Sequence, residues 1–157
     1  MRIALLTIGK TDRKYLQEGI SVYEERLRHY VSYSREEIPD FKGVSSLSEE
    51  QIKEQEGASI LKKIEKGDFL VLLDERGKEM NSVEFSVKLE KWSLSGIKSI
   101  IFVVGGAYGF SKAVYERANE KMSLSRMTFS HQMVRLFFTE QLYRAFTILK
   151  GEPYHHK

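Results

Sequence analysis

Three short apolar runs, at residues 3–8, 69–73 and 99–104, constrain the fold of this chain more than any other feature. Each is nearly continuous rather than alternating, the mark of a strand covered on both faces. Each is followed by turn-forming residues and then by a helical pattern. After residue 8 comes Gly9, and Leu16, Ile20, Tyr23, Leu27 and Tyr30 then recur at spacings of three and four, with Thr11 or Asp12 expected as the N-cap. The spacing predicts a helix to about Val31. Residues 33–38 predict a second strand stopped by Pro39, and Ser48 with Gln51 forms a capping-box pattern for a helix to about Lys66. Asn81 or Ser82 is expected to cap a helix through Phe85, Leu89 and Trp92, and Ser111 a short one to about Asn119. Alternation of this kind implies an α/β fold with a largely parallel sheet flanked by helices. Ligands of such sheets bind beyond the carboxyl ends of the strands, which brings Leu73 and Gly105 to any site.

At 157 residues the chain has the size of one domain, and 1–157 is expected to be a single one. Its composition, 41% hydrophobic and 30% charged, is that of a globular protein, and no apolar run approaches the ~20 residues a membrane span requires. With no cysteine, disulfides, thiolate metal sites and cysteine nucleophiles are excluded, and four histidines make a structural metal an unpromising expectation. The amino terminus lacks a signal-peptide pattern, so a cytoplasmic location is expected. Charge is uneven: residues 98–157 hold nine Lys and Arg against four Asp and Glu, whereas the chain as a whole carries only +3. A basic end suits a phosphate-rich partner as well as a solvated surface.

The chemistry gathers in the last third. A helix from about His131 to Leu149 is expected to bury Val134, Phe137, Phe138, Leu142, Ala145, Phe146 and Leu149. His131 and Arg135, four apart, share another face of it, which residues 123–129 and Tyr154, His155 and His156 are expected to flank. Glu140 and Arg144 are spaced for an intrahelical ion pair. The VVGGAYG run follows a strand and precedes a helix, but its glycines are not spaced as in a dinucleotide fingerprint and there is no Walker lysine. An oxidoreductase or a nucleoside triphosphatase is therefore disfavoured, while close backbone approach to some ligand, or simply a tight turn, fits.

Taken together, LLTIGK at 5–10, LLDERGK at 72–78, VVGGAYGFS at 103–111, SLSRMTFSHQMVR at 123–135 and EQLYRAFTILKGEPYHHK at 140–157 resemble the ribosomal RNA large subunit methyltransferase H family, within the SPOUT superfamily. The resemblance implies a carboxyl-terminal trefoil knot and S-adenosylmethionine as cofactor. It implies a pseudouridine N3 in a stem-loop of 23S ribosomal RNA as the methyl acceptor, with the enzyme acting as a homodimer on the assembled ribosome. By motif, cofactor contacts fall on Leu73, Gly105, Leu124, Ser125, Arg126, Met127, Thr128 and Phe129. Arg135, His155, Tyr154 and His131 are the expected catalytic or substrate-placing residues. An ending in Pro-Tyr-His followed by one basic residue is usual in the family, whereas here His156 intervenes before Lys157, and His155 directly after Tyr154 is the closer match. A ribosome-binding factor that keeps the fold without methyl transfer is the competing reading.

Overall fold

The computed structural model describes residues 1–41 and 43–156. Five strands, β1 (Arg2–Ile8), β2 (Ser32–Ile38), β3 (Phe69–Glu79), β4 (Ser99–Val104) and β5 (Glu120–Ser123), form one sheet in the order β2-β1-β4-β3-β5, and every pairing is parallel. Helices α1 (Lys14–Leu27), α3 (Ser82–Leu94) and α5 (His131–Leu149) cover one face. Helices α2 (Glu49–Lys62) and α4 (Lys112–Arg117) cover the other. A single 3-10 turn, Val44–Ser46, interrupts the loop before α2.

Each half of the core follows from strand alternation. Ile3, Leu5, Val71, Ile100 and Phe102 point to the α1, α3 and α5 side, where Leu27, Phe85, Leu89, Trp92, Phe138 and Leu142 meet them. Leu6, Ile8, Leu70, Leu72, Ile101 and Val103 point the other way, onto Ile60 and Val114. Residues of both sets are nearly all less than 10% exposed, so the continuous apolar runs are strands sandwiched between helices.

Local signals set most boundaries. Ser48 and Gln51, and likewise Asn81 and Glu84, exchange reciprocal side-chain-to-backbone hydrogen bonds at the starts of α2 and α3, and Ser111 and Ser130 cap α4 and α5. Helix α1 departs from expectation. Its N-cap is Arg13, which makes no capping bond, because Thr11 is spent on Glu37 inside the fold.

Two strand features are corrections. β3 does not stop at Leu73 but runs to Glu79, and Leu73 and Lys78 both pair with Met122 of β5. Residues 74–77 therefore make an excursion and return to the same point. Gly77 allows this, since a Cβ there would lie 2.5–2.6 Å from the Met122 backbone. β5 is a further strand that four residues, Glu-Lys-Met-Ser, gave no pattern to foresee.

The path of the chain opens a crevice. From β3 it turns to α3 on one face, and from the adjacent β4 it turns to α4 on the other. Neighbouring strands whose exits diverge leave a gap at their carboxyl ends, the usual ligand position in a parallel sheet.

Candidate functional site

An open cavity of about 540 Å³ occupies this crevice. Its wall is built from the mid-strand excursion of β3 (Leu73 to Arg76), the glycine turn after β4, the segment between β5 and α5, and the first residues of α5 with His131 and Val134. Lys53 of α2 and Tyr115 of α4 complete it.

The glycine turn is held from beneath. A Cβ on Gly105 would lie 3.1 Å from the Phe110 ring, and one on Gly106 2.6 Å from both carboxylate oxygens of Glu56. Gly109 N–H donates to Gly106 O at 3.2 Å with Gly109 at φ +86°, which closes the turn and places Ala107 and Tyr108 at its tip. Burial, reinforced by the Asp40 charge, raises the Glu56 carboxyl above its usual range, and its Oε1 has no hydrogen-bond partner among the described residues.

The opposite wall is also ordered by its own polar groups. Ser123 Oγ donates to Ser125 O at 2.8 Å, and Met127 N donates to Ser125 Oγ at 2.9 Å, so residues 123–127 form a compact turn. The Tyr115 hydroxyl donates to Asp74, tying α4 to the β3 exit; burial, followed by that hydrogen bond, pushes the phenol up to about 12. Tyr115 is a donor here, not a base.

Of the eight expected cofactor contacts, Leu73, Gly105, Leu124, Ser125, Met127, Thr128 and Phe129 line the cavity together. Arg126 is the exception: its side chain is 88% exposed and lies 3.6 Å from Glu79 on the outer surface. The lining sets the apolar side chains of Leu73, Leu124, Met127 and Phe129 beside polar ones, among them Asp74, Glu75 and Arg76. A mixed lining of this kind fits an adenosyl group, apolar on its ring faces and polar at its edges.

A family model described as "Predicted SPOUT methyltransferase" matches residues 1–155. The chain is 59% identical to the ribosomal RNA large subunit methyltransferase H of Parabacteroides distasonis over 157 residues, covering all of both chains. It is 57% identical, again over the full length of both, to the proteins of that name from Christiangramia forsetii and Flavobacterium johnsoniae. The chain belongs to the ribosomal RNA large subunit methyltransferase H family of SPOUT methyltransferases.

In this methyltransferase the four residues expected at the reacting centre do not meet. His131, at the exposed start of α5, lines the cavity. Arg135 does not: it is fully buried, donating to Ile8 O (2.6 Å), Gly9 O (2.9 Å) and Thr11 Oγ1 (3.1 Å), with Glu37 Oε2 at 3.4 Å. The reason is that β1 ends in carbonyls with no further strand partner, and a guanidinium satisfies two at once. One turn earlier, the Gln132 amide bonds Lys10 O and Asp12 N, so α5 grips five successive residues, Ile8 to Asp12, at the end of β1 through two side chains. The α5 core face is shifted accordingly. Phe138, Leu142 and Ala145 are buried as expected, but Phe137 is 39% exposed and stands against Phe129 at 5.0 Å.

Tyr154 and His155 lie along the far half of α5. The Tyr154 hydroxyl donates to Glu140 Oε1 at 2.8 Å, and Arg144, also bound to Glu140, reaches His155 Nδ1 at 3.1 Å. Since a guanidinium only donates, Nδ1 accepts, which assigns the ring proton to Nε2. Thirteen residues of helix separate His131 from Arg144, a rise of about 20 Å. Sequence reasoning treated Glu140 and Arg144 as a plain i,i+4 pair, and their hold on the tail was the missed element. Among the described residues no group of three or more His, Cys, Asp or Glu is placed to hold a metal, and no helix is long and apolar enough to cross a membrane.

Proposed function

We propose that this protein transfers the methyl group of S-adenosylmethionine to N3 of a pseudouridine in a stem-loop of 23S ribosomal RNA, acting in the cytoplasm on the assembled ribosome as a homodimer of one-domain chains. The observation that carries the reading is the convergence of seven motif-assigned residues on one cavity in a chain 59% identical, end to end, to a relative named for methylating large-subunit ribosomal RNA.

S-adenosylmethionine supplies an electrophilic methyl whose transfer breaks the carbon–sulfur bond, forms an N3–carbon bond and leaves a neutral thioether. Leu73, Leu124, Met127 and Phe129 enclose the adenosyl group, and the turn at Gly105 and Gly106 lines the same cavity with backbone. The N3 proton must leave. His131 in the cavity wall is one imidazole for that task and His155 of the tail is another. In the described chain the tail is about a helix length from its own cavity, so the homodimer supplies the missing half: the tail of one copy, with Glu140, Arg144, Tyr154 and His155, serves the cavity of the other. Arg144 provides the cation that faces charge developing on the pyrimidine carbonyls. Burial, with Tyr23 and Glu140 beside it, holds the Tyr154 phenol well above its ordinary range, so Tyr154 acts as a hydrogen-bond donor. Arg135 acts by holding α5 and the β1 exit in place.

The trefoil knot belongs to the same reading. Its support is the 74–77 excursion of β3, which leaves from and returns to Met122 while the chain beyond β5 continues to α5.

The test is methyl transfer from labelled S-adenosylmethionine to ribosomes that lack the modification, using two variants, Leu124→Arg in the cavity and His155→Ala in the tail. Each alone is expected to be inactive, and their mixture to recover up to about a quarter of wild-type activity through mixed dimers. Wild-type protein that binds ribosomes without transferring methyl would favour the non-enzymatic factor.

A further inference from the structure

The turn after β4 carries an aromatic side chain that the fold does not use. Tyr108 sits at the tip of the closed Gly106–Gly109 turn, lines the cavity, and is 47% exposed. Among the described residues its ring packs on no other aromatic and its hydroxyl makes no hydrogen bond, whereas Phe110, two residues on, is buried against Tyr115 and Gly105. The turn beneath it is fixed at both glycine positions by Phe110 and Glu56, so the ring stands on a firm base. An exposed aromatic so placed keeps one face in water that a flat partner would displace.

Two cations share the same rim. Arg76 lines the cavity and its guanidinium has no hydrogen bond or ion pair among the described residues; its backbone N–H alone is engaged, with Asp74 Oδ1 at 3.0 Å. Lys53, on the α2 side, is ion-paired with Glu50 at 3.1 Å, and Asp74 and Glu75 line the same cavity, which leaves Arg76, among the described residues, as the cation open to a partner. A free π-face on the same cavity as that guanidinium is complementary to a nucleotide, ring to ring and phosphate to guanidinium. A methyl acceptor inside a stem-loop must also leave its stack to bring N3 to the cofactor, and an unstacked base needs a new surface.

We infer that Tyr108 is the platform on which the target nucleobase stacks once it has been turned out toward the cavity, with Arg76 receiving a neighbouring phosphate. The inference rests on the methyltransferase reading above and adds a substrate-contacting residue to it. Stacking needs a flat π-surface and not the hydroxyl, so Tyr108→Phe retains function, while Tyr108→Leu, apolar and of similar bulk, does not.

The experiment measures kcat/KM for unmodified ribosomes, the Kd of S-adenosylmethionine by calorimetry, and the oligomeric state by light scattering, for wild type, Tyr108→Phe and Tyr108→Leu. The expected result is wild-type behaviour for Phe and a fall in kcat/KM of about five- to a hundredfold for Leu, with cofactor Kd and oligomeric state unchanged in both. Equal kcat/KM for Leu and wild type overturns the inference. So does a parallel loss of cofactor affinity, which would make Tyr108 a wall of the cofactor site, or a change in oligomeric state, which would make it an interface residue. Failure of the wild type itself to methylate ribosomes overturns the underlying reading and the inference with it.

Discussion

Tyr154 donates a 2.8 Å hydrogen bond to Glu140, and together with the Arg144–His155 contact it lays the carboxyl-terminal tail along α5 rather than beside the cavity of its own chain. Glu140 also receives both Arg144 donors, at 2.6 and 3.1 Å, so a single carboxylate organises the tail. Glu140→Gln keeps the shape but weakens both charge-assisted bonds. Methyl transfer is expected to fall about 100-fold through misplacement of the tail, with the Kd of S-adenosylmethionine within twofold of wild type by calorimetry. An unchanged rate would remove the tail from the account.

Arg135 is a structural pillar whose loss strands buried carbonyls. Arg135→Met leaves the buried Ile8 O and Gly9 O without this donor, while Glu37 keeps Arg35 and Thr11. Urea unfolding is expected to show a loss of about 2–5 kcal/mol, the scale for stranding two buried acceptors. Stability close to wild type would mean that the guanidinium is dispensable to the fold and free for other work.

Glu56 gives a pH dependence of definite sign. Burial and then Asp40 raise its carboxyl in the folded state, so between the ordinary value near 4.5 and the raised one the folded protein holds a proton that the unfolded chain has released. Its contribution is then fully present below about pH 4 and is lost as pH rises through the folded value. Glu56→Gln, uncharged at every pH, is expected to melt higher than wild type at pH 8, with the difference vanishing toward pH 4. A difference that grows on acidification would reverse the assignment.

Gly77 has no room for a side chain. A Cβ would meet the Met122 nitrogen, Cα and carbonyl carbon at 2.5–2.6 Å, all backbone atoms that cannot rotate away. Gly77→Ala is expected to cost about 3 kcal/mol, the upper end for overpacking, measured by urea midpoint. At Gly67, where nothing lies within 4 Å, the same change is expected to be near neutral.

The sandwich of helices on a parallel sheet was legible because burial on both faces writes itself into a strand as an unbroken apolar run, as in residues 3–8 and 99–104. Helix starts were legible where Ser48, Asn81 and Ser111 bond the backbone of the first turn, whereas the Ser130 cap of α5 went unread. What local pattern does not carry is a partner distant in sequence. Asp-Glu-Arg-Gly-Lys reads as a turn, and only Met122, more than forty residues on, makes Lys78 and Glu79 a strand. Arg135 reads as a polar-face residue, because the carbonyls that bury it belong to β1.

The same distinction divides the site. The cavity lining was legible through contiguous motifs: residues 124–129 are neighbours in sequence and stay neighbours around the pocket, save Arg126, whose side chain turns outward to Glu79. The placement of the tail was not, since His131 and His155 are brought to one helix but to its opposite ends, and nearness in sequence to α5 does not say which end a tail returns to. The hold of Glu140 on Tyr154 was invisible to an i,i+4 rule that looks only within the helix.

Binding of S-adenosylmethionine in the crevice where β3 and β4 diverge is measured by isothermal titration calorimetry of the purified protein, with NADH as control and Leu124→Arg as the altered cavity. Saturable binding of S-adenosylmethionine at one site per chain is expected, with no heat from NADH and marked weakening by Leu124→Arg. Wild-type affinity retained by folded Leu124→Arg, or NADH binding in place of S-adenosylmethionine, overturns the assignment.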